Sequence, residues 1–325
     1  ALNDDLPELV ELSNGVETLT FDGGGNANPG DDVLLIGEDG VEGWFETPDD
    51  KTVMSERGQG DGAHDVWASD ILYSARVLTL HFIVSAHDRQ GVVRLLNKVR
   101  RVCAHSKVRF RLRDAGYDCY TTGRAAVKAS AKYARDGWLD DCTLTVTCER
   151  PEILSMDEYT CQLSAMHVSG GNVGLRYGPG YWTEWQGARN ASPSLMHTES
   201  NIGLRGLAYP LNYGLKLDGV GSNVGLLYNN GTSRAYPVFV VHGPMDGVRL
   251  DFPGTQQSIV CDQTVRDVPL VLDCRSRTAQ LGGQDVSRQL EQRGFPTIPA
   301  GGSLRVTLSN LGTGFVDCSV RDTYM

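Results

Sequence analysis

Residue types that could do catalytic or metal chemistry are present, but their spacing brings few of them together. The seven histidines include no pair at i, i+4, the spacing that a metal-binding helix uses. The sequence contains no GxSxG elbow, HExxH motif or Walker loop. We therefore expect no enzymatic activity, no metal site and no cofactor.

Two glycine-rich segments could still offer a ligand site. Segment 22–32 has carboxylates and amides for Ca²⁺, but their order departs from the EF-hand loop, which favours an ordinary loop. Segment 58–62 could approach a phosphate, but no helix pattern follows it to supply the positive end of a helix dipole. We expect a turn there.

Four aromatic residues lie close together in the middle of the chain: Tyr177, Tyr181, Trp182 and Trp185. Such residues stack on sugars or anchor protein interfaces. The sequence leaves open whether this cluster packs in a core, contacts another subunit or binds a carbohydrate.

The eight cysteines form no CxxC pair, which argues against zinc binding and redox catalysis. We expect reduced, buried thiols of an intracellular product. The first residues lack the cationic start and apolar segment of a secretory signal, and no apolar run of about 18 residues occurs. We expect no membrane insertion.

Charge is distributed unevenly along the chain. Residues 1–65 contain 17 Asp and Glu against Lys51 and Arg57, whereas residues 86–135 contain 13 Lys and Arg against three Asp. The two blocks could neutralise each other within one domain, or they could meet between neighbouring subunits and set their orientation. Specific nucleic-acid binding is disfavoured by the net charge of −10.

The elements that must position these residues are mostly strands. Residues 76–84 alternate with period two, and Ser85–Asp88 is a capping signal before an amphipathic helix over about 88–105. The polar side of this helix carries Arg94, Lys98 and Arg101. Alternation resumes at 108–112 and at 142–148, with a hairpin between them. We predict that residues 1–150 form a sheet or split barrel with one inserted helix.

The rest of the chain divides by composition. Residues 151–231 are rich in glycine and carry three related pieces that begin at Asn172, Asn201 and Asn223, at unequal spacing, so we predict a linker or arm instead of a solenoid. Residues 232–325 contain short strands separated by turn residues, including a hairpin at Gly282-Gly283. This pattern predicts a second domain, an antiparallel β-sandwich.

Several pieces, taken in order, resemble the distal tail proteins of long-tailed bacteriophages. They are Arg57–Gly62 before a strand that begins at Arg76, the basic helix after Ala86–Asp88, Gly206–Gly214, Asn230–Gly243, Leu270–Asp273, Arg277-Thr278 and Ile298–Leu304. The resemblance implies a minor tail protein of the virion, assembled in the host cytoplasm. It also implies a galectin-like second domain.

The resemblance further implies a hexameric ring at the distal end of the tail. The ring would join the tail tube protein to the tip or baseplate hub proteins and leave a channel for DNA. Another tail-tip or tube protein and a carbohydrate-binding module for host-surface recognition are the alternatives. Open sheet edges in the first domain would favour self-association. We expect Arg94, Lys98 and Arg101 to face acidic surface of a neighbouring subunit.

Overall fold

The described part of the chain consists of strands and one α-helix. The structure, a computed structural model, describes residues 9–23, 32–67, 71–130, 137–165, 223–310 and 313–325. The elements, in chain order, are β1 Leu9–Ser13, β2 Thr18–Asp22, β3 Val33–Glu42, β4 Arg76–Ser85, α1 Arg89–Cys103, β5 Lys107–Asp114, β6 Tyr117–Lys128, β7 Trp138–Cys148, β8 Ile153–Ser164, β9 Val224–Tyr228, β10 Val238–His242, β11 Val248–Phe252, β12 Gln257–Cys261, β13 Leu270–Asp273, β14 Thr278–Leu281, β15 Gln284–Asp285, β16 Leu290–Arg293, β17 Ser303–Leu308 and β18 Phe315–Tyr324. The predicted fold class, mostly β with one inserted helix, is confirmed.

The first part of the chain forms a closed barrel. Its strands follow the order β6-β5-β1-β2-β3-β4-β7, and β7 pairs back onto β6 from Arg124↔Thr147 to Lys128↔Thr143. The expectation of open edges in this sheet is therefore wrong, because closure pairs the two edge strands within the chain. The period-two positions of β4 and β7 face the interior: Leu78, Leu80, Phe82, Val84, Cys142, Leu144, Val146 and Cys148 are all buried.

Helix α1 packs against the barrel through the apolar face that its sequence pattern predicts. Val92, Val99 and Val102 are fully buried in the barrel core, and Leu95, Leu96 and Cys103 pack at its edge. Arg100 and Arg101 lie in the last turn, where positive charge complements the helix dipole. The opposite, basic face of the helix is left toward solvent.

The start of α1 depends on Asp88. Its Oδ1 accepts a 2.7 Å hydrogen bond from the Gly91 N–H, which satisfies one of the free donors of the first turn. We expect Asp88→Ala to lower the free energy of unfolding by about 1 kcal/mol, whereas Asp88→Asn should cost only a fraction of that. Chemical denaturation of the three proteins measures the difference, and equal losses for both variants would contradict the capping role.

The second part of the chain is a sandwich of two antiparallel sheets. One sheet has the order β15-β14-β13-β10-β18-β8, and the other has the order β16-β12-β11-β17-β9. Their facing side chains form a second core around the stacked rings of Phe239 and Phe252, whose centroids lie 5.6 Å apart. The predicted hairpin is present, with Gly282 and Gly283 both at positive φ between β14 and β15.

Residues 151–231, assigned to a linker or arm from their composition, supply two strands of this sandwich. Strand β8 pairs along β18, and β9 pairs with β17. Strand β8 also pairs with β6 at Cys119↔Ser155, so the larger sheet of the sandwich runs on from the barrel. Gly225 shows why β9 is hard to recognise: a Cβ there would lie 2.6 Å from Cys161 Sγ, so the close approach of the two sheets requires glycine.

All eight cysteines are free thiols, and six of them are buried. Burial raises the pKa of Cys119 to about 12 and that of Cys103 to about 11. Cys161 differs because it lies directly across from Cys318 on the neighbouring strand. A hydrogen bond from the Cys318 thiol lowers the pKa of Cys161.

This difference predicts the order of thiol modification. With iodoacetamide at pH 8, Cys161 of the folded protein should react first, because the thiolate is the nucleophile and its side chain is partly exposed. Peptide mass spectrometry over time checks the order, and Cys161→Ser should remove the fast phase. Faster labelling of Cys119 or Cys274 would contradict it.

Candidate assembly surface

An arginine anchors the segment that leaves the barrel between β3 and β4. Arg76 is 2% exposed, and its guanidinium donates to the carbonyls of Pro151 at 2.8 Å, Gly43 at 2.6 Å and Glu46 at 2.7 Å. Burial lowers the pKa of Arg76, an effect that nearby negative charge opposes. Gly43 has φ +80°, and a Cβ there would lie 2.3 Å from the Val77 carbonyl oxygen. The chain therefore leaves the barrel in one fixed direction.

Beyond this anchor the chain folds back on itself as an exposed ribbon, by which we mean residues 45–67 and 71–74. Its two legs are joined by hydrogen bonds from Lys51 N to Leu72 O, from Ser74 N to Asp49 O and from His64 N to Ser55 O, at 2.8–3.0 Å. An isolated bridge pairs Glu56 with Ala63 on either side of the tip. The tip is the turn expected at 58–62, with Gly60 and Gly62 at positive φ.

The ribbon exposes large apolar side chains. Of the fifteen exposed large hydrophobic residues in the described part of the chain, six lie here: Phe45, Val53, Met54, Val66, Trp67 and Leu72. Val53 is 89% exposed and Trp67 is 79% exposed. Solvated apolar side chains concentrated on one projection mark a protein interaction site, and tryptophan is among the residues that contribute most at interfaces.

The ribbon is also acidic. Its described residues include six carboxylates against Lys51 and Arg57, and Arg57 is already paired with Asp65 at 2.9 Å. Glu56 and Asp61, at the tip, are exposed and make no ion pair with any described residue. The tip therefore presents uncompensated negative charge.

The helix residues predicted to face a neighbouring subunit lie together on the outer face of α1, and two of them contact acidic residues of their own chain. Arg94 pairs with Asp32 at 3.1 Å, and Arg101 forms a two-point hydrogen bond with Glu17 at 2.7 and 2.9 Å. This bond lowers the pKa of Glu17. The third residue, Lys98, has no ion pair with the residues that the structure describes. Their place in a subunit contact stays a prediction.

A cavity of about 250 Å³ lies where the barrel meets the sandwich. Arg275 from the sandwich reaches Glu152 at 2.8 Å and stacks over the ring of Tyr236, while Arg321 lies over the ring of Tyr120 from β6. Glu152 is only 9% exposed, so this ion pair is largely shielded from solvent. These contacts join the two parts of the chain.

The other candidate ligand sites gain no support from the described residues. The aromatic cluster of Tyr181, Trp182 and Trp185 lies outside the described residues, as does most of the loop at 22–32. Among the described residues, no three His, Cys, Asp or Glu side chains are grouped to hold a metal ion. No described helix is long and apolar enough to cross a membrane.

The sequence alone does not identify the ribbon as a candidate site. Its sequence offers Trp67 and the Val53-Met54 pair, but these residue types are found equally in cores and on interfaces. The available signal was the combination of apolar residues with six carboxylates in a segment that lacks strand alternation.

No protein-family model matches the chain, and no curated protein matches it. Solved structures do. The SPP1 Dit protein (gp 19.1), described as a paradigm of the hub adsorption apparatus in phages that infect Gram-positive bacteria, aligns with a TM-score of 0.57 at 10% identity, over 97% of this chain and 99% of that one. Chains of the phage P2 baseplate in its activated conformation align with TM-scores of 0.47 with Ca and 0.49 with Sr, each at 9% identity and over at least 96% of both chains. The chain therefore shares its fold with the SPP1 Dit protein along nearly its whole length.

Proposed function

We propose that this chain is a structural, non-enzymatic virion protein that forms a hexameric ring at the distal end of a phage tail. The ring connects the tail tube to the tip or baseplate hub proteins and leaves a channel through which DNA passes. The observation that carries the proposal is the match to a phage hub protein over 97% of this chain and 99% of that one. Because identity is 10%, this match establishes the fold, and the function is inferred from it together with the surface of the chain.

The exposed ribbon supports self-assembly. The barrel has no free sheet edge among its described strands, so a neighbour cannot be added by extending that sheet. A projecting ribbon with apolar and charged side chains provides a different way to join subunits, because contact with another copy would remove its apolar surface from water. Under this proposal, the function of the chain comes from the shape of the assembly that it forms.

Light scattering and negative-stain imaging of the purified chain test the proposal. The expected particle has six times the chain mass of 35.4 kDa and appears as a ring with a central opening. A monomer at every concentration tested would overturn the proposal. Stacked tubes would instead favour a tube subunit. Binding on a glycan array by a monomeric chain would favour a carbohydrate-binding module.

A further inference from the structure

We propose that Cys161 and Cys318 form a modification site, a pair of neighbouring thiols that a small-molecule disulfide, such as oxidised glutathione, converts into an intrachain disulfide. The pair lies in the sandwich, on strands β8 and β18. In a virion protein of the kind proposed above, the pair would stay reduced during synthesis and would oxidise after release from the cell, because the reducing thiol systems are those of the cytoplasm. The chemistry of the pair does not depend on that role.

The register of β8 and β18 places the two cysteines directly opposite each other. Opposite residues of antiparallel strands have Cα atoms about 4.5–5.5 Å apart, within the range of about 4.4–6.8 Å that a disulfide requires. The next pair along the strands shows that opposite side chains touch here, since Gln162 Nε2 donates to Asp317 Oδ1 at 2.9 Å. A bond between the two sulfur atoms therefore needs little movement of the backbone.

The other two cysteines of the sandwich are too far from Cys318 to compete. Cys274 directly follows β13, and β10 lies between β13 and β18. Residues two strands apart are separated by about 9–10 Å, whereas a disulfide cannot bridge Cα atoms more than about 7 Å apart. Cys261 belongs to β12 in the opposite sheet, and packed sheets lie about 10 Å apart. The fold therefore selects Cys161 as the partner.

Cys161 is also the thiol of the pair that a reagent can reach. It is partly exposed, whereas Cys318 is fully buried. On the side away from β18, β8 pairs with β6 only at Leu154 and Ser155, so beyond these residues it is an edge strand of the described sheet. Gly225 of β9 lies against Cys161 Sγ and has no side chain to cover it. Attack by an external disulfide is therefore expected at Cys161.

The reaction consists of two thiol–disulfide exchanges. The hydrogen bond from the Cys318 thiol lowers the pKa of Cys161, so the Cys161 thiolate attacks one sulfur of oxidised glutathione, forms a mixed disulfide and releases one glutathione, which takes up the proton that Cys161 lost. The Cys318 sulfur then attacks the Cys161 sulfur, closes the disulfide within the protein and releases the second glutathione, which takes up the proton of Cys318. Two cysteine thiols are oxidised, and one glutathione disulfide is reduced to two thiols.

Peptide mass spectrometry without reduction tests the pair directly. The full chain is incubated at pH 8 with oxidised glutathione in excess over reduced glutathione, quenched with acid and digested. We expect a linked pair of peptides that contain Cys161 and Cys318, and loss of this link after treatment with dithiothreitol. The proposal is overturned if no link forms, if Cys161 keeps a bound glutathione without joining Cys318, or if Cys318 is found linked to Cys274.

Thermal unfolding gives a second readout. The strands from β9 to β17 all lie between the two cysteines, so the disulfide closes a long loop of the unfolded chain, and oxidation should raise the melting temperature by about 5 °C or more. Cys161→Ser should abolish this increase. The matched control, Cys103→Ser, removes another partly exposed thiol and should keep it. An equal increase in Cys161→Ser would contradict the proposal, and neither result bears on self-assembly, which the mass in solution measures.

Discussion

Replacing Arg76 with methionine should lower the free energy of unfolding by about 3–5 kcal/mol, the largest effect that we expect from a single substitution in this chain. The substitution leaves three part-buried hydrogen-bonded carbonyls, of Gly43, Glu46 and Pro151, without their charged donor. Each hydrogen bond to a charged group contributes about 1.5–3 kcal/mol, and the substitution removes three of them. Because these carbonyls fix the root of the ribbon, the variant should also lose self-association.

The neighbouring residue provides the control. Val77 is 52% exposed on the opposite side of the same strand, so Val77→Ala should change stability by less than about 0.5 kcal/mol and leave assembly intact. Urea denaturation gives the free energies, and light scattering gives the mass. A folded Arg76→Met protein of nearly normal stability that still assembles would contradict the anchoring role of Arg76.

Asn229 should be the most sensitive polar position in the sandwich. Its side chain is fully buried, its amide donates to the carbonyls of Ser233, Ile298 and Pro299, and its Oδ1 accepts from the Gly231 and Thr323 N–H groups. Asn229→Leu keeps the approximate volume but removes the side-chain partner of the Ser233 carbonyl and of the Gly231 and Thr323 N–H groups, whereas the carbonyls of Ile298 and Pro299 keep their bonds from the N–H groups of Ala235 and Gly302. We expect a loss of about 3 kcal/mol or more, since each unsatisfied buried group costs about 1–3 kcal/mol.

The adjacent asparagine is the matched control. The side chain of Asn230 donates to the Tyr159 hydroxyl in an exposed hydrogen bond, so Asn230→Ala should cost well under about 1 kcal/mol. Thermal and urea unfolding of both variants compares the two positions. Equal losses at Asn229 and Asn230 would show that the buried network does not hold the sandwich together.

Strand alternation and helix signals made much of this fold predictable. β4, β7 and α1 could be predicted because each buries one face and leaves the other in solvent, which gives a clear period of two or of 3.6. The capping role of Asp88 follows from the same local chemistry. The strands of the sandwich were predictable where turn residues bound them, as at Gly282-Gly283.

Long-range pairing was not predictable in this way. Barrel closure requires β7 to pair with both β6 and β4, and no local sequence pattern specifies two pairing partners for one strand. Strand β8 escaped recognition because its middle, from Asp157 to Thr160, is exposed and polar, and β9 because Gly225 interrupts a short apolar run. Burial of Arg76 was equally hidden, since its acceptors come from residues 43–46 and from Pro151. The exposed ribbon can be recognised as a candidate site only when the solvent exposure of its side chains is known.

The most direct test of self-assembly is the mass of the purified chain in solution, measured by light scattering across a range of concentrations and confirmed by negative-stain imaging. We predict ring-shaped particles of six copies with a central opening. A monodisperse monomer of 35.4 kDa at the highest concentration reached would contradict the account.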